Sequence, residues 1–131
     1  MLSMEAACKE LYKKLGIKEP RKEIHIAEPY DPFDYKALHH LEGLQLAERG
    51  QAAQMYIDGT AARDGAMPVC PSGGLLGVGN PIAAAGLMKI AELFWQLRGE
   101  AGDRQVPGEP KVGFAQLYGA PGTAGATVLT L

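Results

Sequence analysis

The sequence predicts an α/β domain in which a mixed β-sheet is flanked by helices, and three observations carry that expectation. Stretches with helical apolar spacing alternate with short β-branched runs. The order is helix, strand, helix, a short strand or irregular crossing, glycine-rich loop, helix, strand, strand. The last two runs are joined so tightly that they can pair only antiparallel. At 131 residues with 47% apolar and 21% charged content, the chain has the size and make-up of one ordinary globular domain.

The first element follows from Met4, Cys8, Leu11 and Leu15, which recur on one face of a helix over residues 4–15. Ser3 can cap that helix and Gly16 can stop it. Its outer face, with Lys9, Glu10, Lys13 and Lys14, is read as solvated surface. Residues 23–28, Glu-Ile-His-Ala-rich and β-branched, form a strand closed by Pro29. The turn that follows, Glu28-Pro29-Tyr30-Asp31-Pro32-Phe33, crowds polar and aromatic groups at a strand end, where α/β folds build their sites. Asp34 then caps a helix reaching about Ala47, with Ala37, Leu38, Leu41 and Leu44 inward. His39 and His40 are adjacent on that helix, about 100° apart, so they cannot chelate one ion together. Residues 51–59 read as a short strand or an irregular crossing. A helix from Asn80 and Pro81 to about Leu97 carries Ile82, Gly86, Ile90, Leu93 and Leu97 on one face. A polar loop over 98–111 leads to strands at 112–118 and 126–131.

Composition excludes several classes. Thirteen basic and fifteen acidic residues leave a net charge of −2, so no positive field gathers nucleic acid. The 24 residues from Gly65 to Met88 hold no charged side chain, yet six glycines and three prolines break them, which argues against a membrane span and for a buried, loop-rich segment. The first fourteen residues mix acidic and basic groups with no apolar core, so a secretory leader is not expected and a cytoplasmic protein is. Cys8 and Cys70 stand in unlike contexts with no zinc spacing, so neither a disulfide nor a metal is expected, and Cys70 reads as a small packed residue.

Fourteen of the 17 glycines lie at or after Gly59. The loop Pro71-Ser72-Gly73-Gly74-Leu75-Leu76-Gly77-Val78-Gly79-Asn80 runs into a helix, an arrangement that can turn backbone N–H groups toward an anion or an oxyanion. It matches neither GxGxxG nor GxxxxGK[ST], and no Lys or Arg stands near it in sequence to hold a phosphate. A tight loop in a packed core is the competing reading.

Four pieces in order, Ile24-His-Ile-Ala-Glu-Pro-Tyr-Asp-Pro-Phe33, Pro71-Ser-Gly-Gly-Leu-Leu-Gly-Val-Gly-Asn-Pro-Ile82, Gln96-Leu-Arg-Gly-Glu-Ala-Gly102 and Tyr118-Gly-Ala-Pro-Gly122, resemble the C-terminal domain of thiolases. The likeness is to the sterol-carrier-protein and lipid-transfer branch, which includes thiolase-like acyl-CoA aldolases. It implies that residues 1–131 form a single thiolase-like C-terminal domain without the N-terminal half. It also implies a coenzyme A thioester as substrate, no tightly bound cofactor, and a place in lipid metabolism. Where the branch has His-Asp-x-Phe, this chain has Tyr30-Asp31-Pro32-Phe33; where thiolases have Gly-His-Pro, it has Gly79-Asn80-Pro81. Where they have Cys-Gly-x-Gly, it has Tyr118 followed by Gly119. An amide cannot accept a proton and the second thiol is missing, so Cys-dependent thiolysis loses its machinery.

The resemblance therefore implies a retro-aldol lyase more than an acyltransferase. Tyr30, Asn80 and Tyr118 are the catalytic candidates, and Ser72, Gly73, Gly74, Gly79 and Gly119 belong to loops that approach the thioester. The alternative is a non-catalytic subunit completing a thiolase-like heteromer, in which Tyr30 packs on Pro29 and Pro32, Asn80 is only a cap and Tyr118 plugs the core. Either way the chain is not expected to be active alone. Its expected partners are an N-terminal thiolase-like chain, a small protein with an OB-fold and zinc ribbon, or both, in an oligomer.

Overall fold

The computed structural model describes residues 2–118 and 124–130. A helix α1 over Leu2–Leu15 and a short helix α2 over Pro20–Glu23 precede strand β1, Ile26–Glu28. Helices α3 (Lys36–Gly43), α4 (Ala52–Ile57) and α5 (Gly74–Val78) follow. A 3-10 turn over Ile82–Ala84 leads into α6, Ala85–Arg98, and a second one, Gly102–Arg104, precedes strands β2 (Val112–Tyr118) and β3 (Ala124–Thr130). The sheet has the order β1-β2-β3: β1 runs parallel to β2, with Ala27 beside Phe114, and β2 runs antiparallel to β3, with Phe114 beside Val128. All three residues of β1 are buried because the segment at Val69 bridges its other edge at Ala27.

Helices cover both faces of this sheet. On one side Met4, Cys8 and Tyr12 of α1 meet Leu41 of α3, Ala52 of α4 and Phe114 of β2. On the other side Leu93 of α6 packs with Ile26, Ala115 and Val106. Gly16, at φ +73°, ends α1 with the paired backbone bonds of a Schellman motif, Ile17 N–H to Tyr12 C=O and Gly16 N–H to Lys13 C=O.

Several local expectations change. Ser3 lies inside α1 rather than capping it, and Leu15 is exposed. Helix α3 starts after Tyr35 and stops at Gly43; Asp34 instead accepts the Tyr35 N–H through its side chain. Residues 52–57 form a helix, not a strand, with Ala52 turned inward. Within the glycine-rich loop Gly73, at φ +95°, starts the five-residue helix α5. The charge-free segment is not buried throughout: residues 76–84 are exposed, and Ile82, expected inward, is 75% exposed. The reason is visible in α6, which turns Ala85, Lys89, Glu92, Leu93, Gln96 and Leu97 inward and leaves Leu87, Met88, Phe94 and Trp95 outside.

The inward polar groups of α6 are satisfied individually. Gln96 accepts the Val106 N–H and donates to the Arg104 carbonyl, while Glu92 takes the Arg104 guanidinium at 3.0 Å. No helix among the described residues is long and apolar enough to cross a membrane. The two faces of α6 make a direct test. Leu93→Ala should lose about 2–5 kcal/mol in urea unfolding, whereas Leu87→Ala, at a residue 70% exposed, should change stability by less than about 0.5 kcal/mol.

Candidate active site

The end of β1 organises the site. Pro29 and Pro32 hold the turn extended, so Glu28, Tyr30 and Asp31 leave the strand in fixed directions. Tyr30 is anchored by its backbone, whose N–H donates to Gln116 Oε1 of β2 at 3.0 Å. Its ring stacks on the buried His40 of α3, with centroids 6.5 Å apart and planes at 23°. At the other end of the ring Asn80 Nδ2 donates to the Tyr30 hydroxyl at 3.2 Å. The expected helix start at Asn80 and Pro81 moves to the 3-10 turn at Ile82, and Asn80 instead makes an Asx-type turn, accepting the Ile82 N–H on Oδ1 at 3.0 Å, so one amide makes that turn with one end and the Tyr30 contact with the other. Two residues 50 apart in sequence and named from it as site residues are thus brought together. Because the phenol oxygen accepts from Asn80, its own O–H remains a donor, and Asn80 retains a second N–H.

The glycine loop does something different from what its pattern suggests. Ser72 N–H donates to Glu28 Oε1 at 3.2 Å and Leu75 N–H to both oxygens of Asp31 at 3.1 and 3.2 Å. Gly73 N–H goes to the Cys70 carbonyl, Gly74 N–H to Ser72 Oγ and Gly79 N–H to the Leu75 carbonyl. These donors are spent inside the fold, so the expected oxyanion cradle at Ser72, Gly73, Gly74 and Gly79 gives way to a loop clamped by buried carboxylates. Gly74 is required for that clamp: a Cβ there would fall on the Asp31 carboxylate, and its φ is +63°. Tyr118 ends β2 with its backbone beside Ala124. Its side chain, and Gly119, lie outside the described residues.

Lys89, Gln116 and His40 belong to the surroundings of Tyr30, and none was marked as functional from sequence. Lys89 carried a signal, as the first charge after a long uncharged segment on an apolar helix. Its ammonium, 3% exposed, meets Asp31 Oδ1 at 2.9 Å, Glu28 Oε2 at 3.1 Å and Cys70 Sγ at 3.8 Å. Burial opposes its charge, but the Cys70 sulfur and the two carboxylates outweigh that and hold it above the ordinary lysine range. Burial raises Glu28, with Lys89 opposing the shift. Burial also pushes the Cys70 thiol well up and Cys8 up to about 12, so neither is a ready thiolate. Among the described residues no group of three or more His, Cys, Asp or Glu side chains is arranged for a metal.

Tyr30 is half-buried and Asn80 exposed, so the pair faces outward. A cleft of about 420 Å³ opens between α5 and α6, with Leu75, Val78, Met88, Lys89, Trp95 and Arg104 on its walls. A second, of about 470 Å³, lies on the other side of the loop, against Asp31, Leu38, Tyr56, Cys70 and Leu76.

A three-layer α/β domain with a carboxylate-clamped glycine loop defines the class of this protein, and comparison supplies its family. The family model described as thiolase C-terminal domain-like matches residues 1–130. Human sterol carrier protein 2 is 42% identical over 130 residues, covering 99% of this chain and 22% of that protein. An acetyl-CoA acetyltransferase of Methanothermobacter thermautotrophicus is 39% identical over 104 residues, covering 79% of this chain and 27% of that protein. Among solved structures, the Ltp2-ChsH2(DUF35) aldolase superposes with a TM-score of 0.75 at 28% identity, over 94% of this chain and 28% of that one. The chain belongs to the thiolase C-terminal domain-like family. It spans about a quarter of the length of these relatives.

The buried imidazole next to Tyr30 sets a pH dependence. Burial, aided by the charge of Lys36, lowers His40 from 6.5 to about 4. A lowered folded value means that the unfolded chain binds the proton first, so the stability present above pH 6.5 is lost as pH falls toward 4. Between pH 7.5 and 4.5 the wild type should lose about 2–3 kcal/mol more than His40→Gln in paired chemical unfolding curves.

Proposed function

We propose that this chain supplies part of a thiolase-like site that makes or breaks a carbon–carbon bond next to a coenzyme A thioester, by retro-aldol cleavage rather than Cys-dependent thiolysis. The observation that carries the reading is the Tyr30–Asn80 hydrogen bond at 3.2 Å, at the two positions where the family's histidines are expected. Cleavage of a β-hydroxyacyl-CoA requires removal of the hydroxyl proton, flow of the Cα–Cβ electron pair onto the thioester carbonyl, and protonation of the resulting enolate at Cα. The Tyr30 O–H and the second Asn80 N–H are donors suited to the enolate oxygen. Tyr118 is the proposed base for the hydroxyl proton, and the β-carbon leaves as an aldehyde or ketone. Neither Cys8 nor Cys70 offers a thiolate, which supports the absence of a thiolysis step on this chain's own residues.

The site is completed, in this reading, by the other half of a thiolase-like fold. Leu76, Val78 and Ile82, close to Asn80 in sequence, and Leu87, Met88 and Trp95 of α6 are exposed apolar side chains, which suits covering by another protein surface. An N-terminal thiolase-like half is the proposed cover, with a small OB-fold and zinc-ribbon protein as a further partner, in line with the two-component name of the aldolase it superposes on. The same exposed face also favours the alternative, a structural subunit that completes a heteromer without turning over substrate.

Reconstituting the chain with a thiolase-like N-terminal half and following aldehyde or ketone release from β-hydroxyacyl-CoA esters separates the two. Activity is expected, with Tyr30→Phe and Asn80→Ala each lowering kcat by about 10²–10³. A stable complex with no turnover supports the structural subunit, and turnover indifferent to both substitutions sinks the donor role.

A further inference from the structure

Tyr30 is bracketed by two buried carboxylates that look past it to the same ammonium. Glu28 precedes it by two residues and Asp31 follows it by one; Lys89 Nζ meets them at 3.1 and 2.9 Å. Each carboxylate has a second task, since Glu28 takes the Ser72 N–H and Asp31 the Leu75 N–H. Lys89 thereby joins three pieces of backbone: the turn that carries Tyr30, the loop that ends at Asn80, and helix α6. Asn80 is tied through the Ile82 N–H to the 3-10 turn that leads directly into α6, so the distance between Tyr30 and Asn80 follows how α6 is fastened to the end of β1. Two carboxylates crowded without their counter-ion would repel each other, or one would take up a proton. Either change releases the turn.

We propose that Lys89 is a positioning residue for the Tyr30–Asn80 pair, its ammonium holding the turn and α6 at the spacing that lets Asn80 donate to the Tyr30 hydroxyl. This rests on the reading that the pair forms the donor site. It adds that the site is held from behind by a buried charge that never touches substrate.

Tyrosine labelled with carbon-13 at Cζ reports the phenol's hydrogen bonding, and Tyr30→Phe identifies the Tyr30 signal. Asn80→Ala moves that signal by removing its donor. Lys89→Met is expected to move it toward the same position, and adding Asn80→Ala to Lys89→Met is expected to move it little further. If Lys89→Met folds and leaves the Tyr30 signal at its wild-type position, or if the two substitutions act additively, the proposal is overturned. Lys89→Gln, which keeps one donor but no charge, is read the same way should Lys89→Met not fold. If neither folds, Lys89 is a folding residue and the positioning role fails. The cycle needs no turnover, so an inactive wild type overturns the proposed reaction and leaves the spectra to decide the role of Lys89. Where the reconstituted enzyme is active, Lys89→Met should lower kcat about tenfold to a hundredfold with KM nearly unchanged, because the donors are misplaced while the substrate surface is kept.

Discussion

Everything near the end of β1 depends on one buried cluster: the Lys89 ammonium between Glu28 and Asp31, with the remaining carboxylate oxygens on the Ser72 and Leu75 N–H groups. Three charges out of water are tolerated only when nearly every lone pair and proton has a partner, and here they do. Removing one member of such a set typically costs about 3–5 kcal/mol because it strands the others. That penalty explains why the loop has no freedom of composition at Gly74, where the Asp31 carboxylate occupies the place of a Cβ. It also explains why α6 turns a lysine toward the sheet.

The cluster decides what the glycine loop is for. A loop running into a helix start is usually read as a binding cradle, but here carboxylates, the Ser72 hydroxyl and neighbouring carbonyls already occupy the N–H groups of Ser72, Gly73, Gly74, Leu75 and Gly79. The loop is the thing held. The side-chain pair proposed to meet an incoming oxygen, Tyr30 and Asn80, is joined by its own hydrogen bond and faces outward. Ile82, two residues after Asn80, and Leu87, Met88 and Trp95 of α6 are exposed apolar side chains. Donors at an open, greasy rim gain strength once water is excluded, so the chemistry proposed for them and the partner proposed for the apolar face are one requirement seen twice.

The residues that were legible in advance are those whose signal is local. The stripe Met4 and Cys8 and the stop at Gly16 marked α1; the β-like run Val112 to Tyr118 marked β2; Asn80 and Pro81 marked the approach to α6. Residues 52–57 failed because Met55, Tyr56 and Ile57 look like a strand by composition, while the helix they form is decided by Ala52 docking beneath α3. Glu28 and Asp31 stood out as a crowded turn, but nothing local showed that they share one cation 58 to 61 residues away.

The sequence by itself determined the class of the fold, the family, and the identity of the paired residues Tyr30 and Asn80, because periodicity, capping and motif order are written in neighbouring positions. The tertiary structure alone decided that these two meet, that the loop N–H groups are committed, and that Lys89 lies behind them. Those facts depend on which groups burial brings within about 3 Å of each other, and for charges removed from water that proximity sets both their protonation and their geometry.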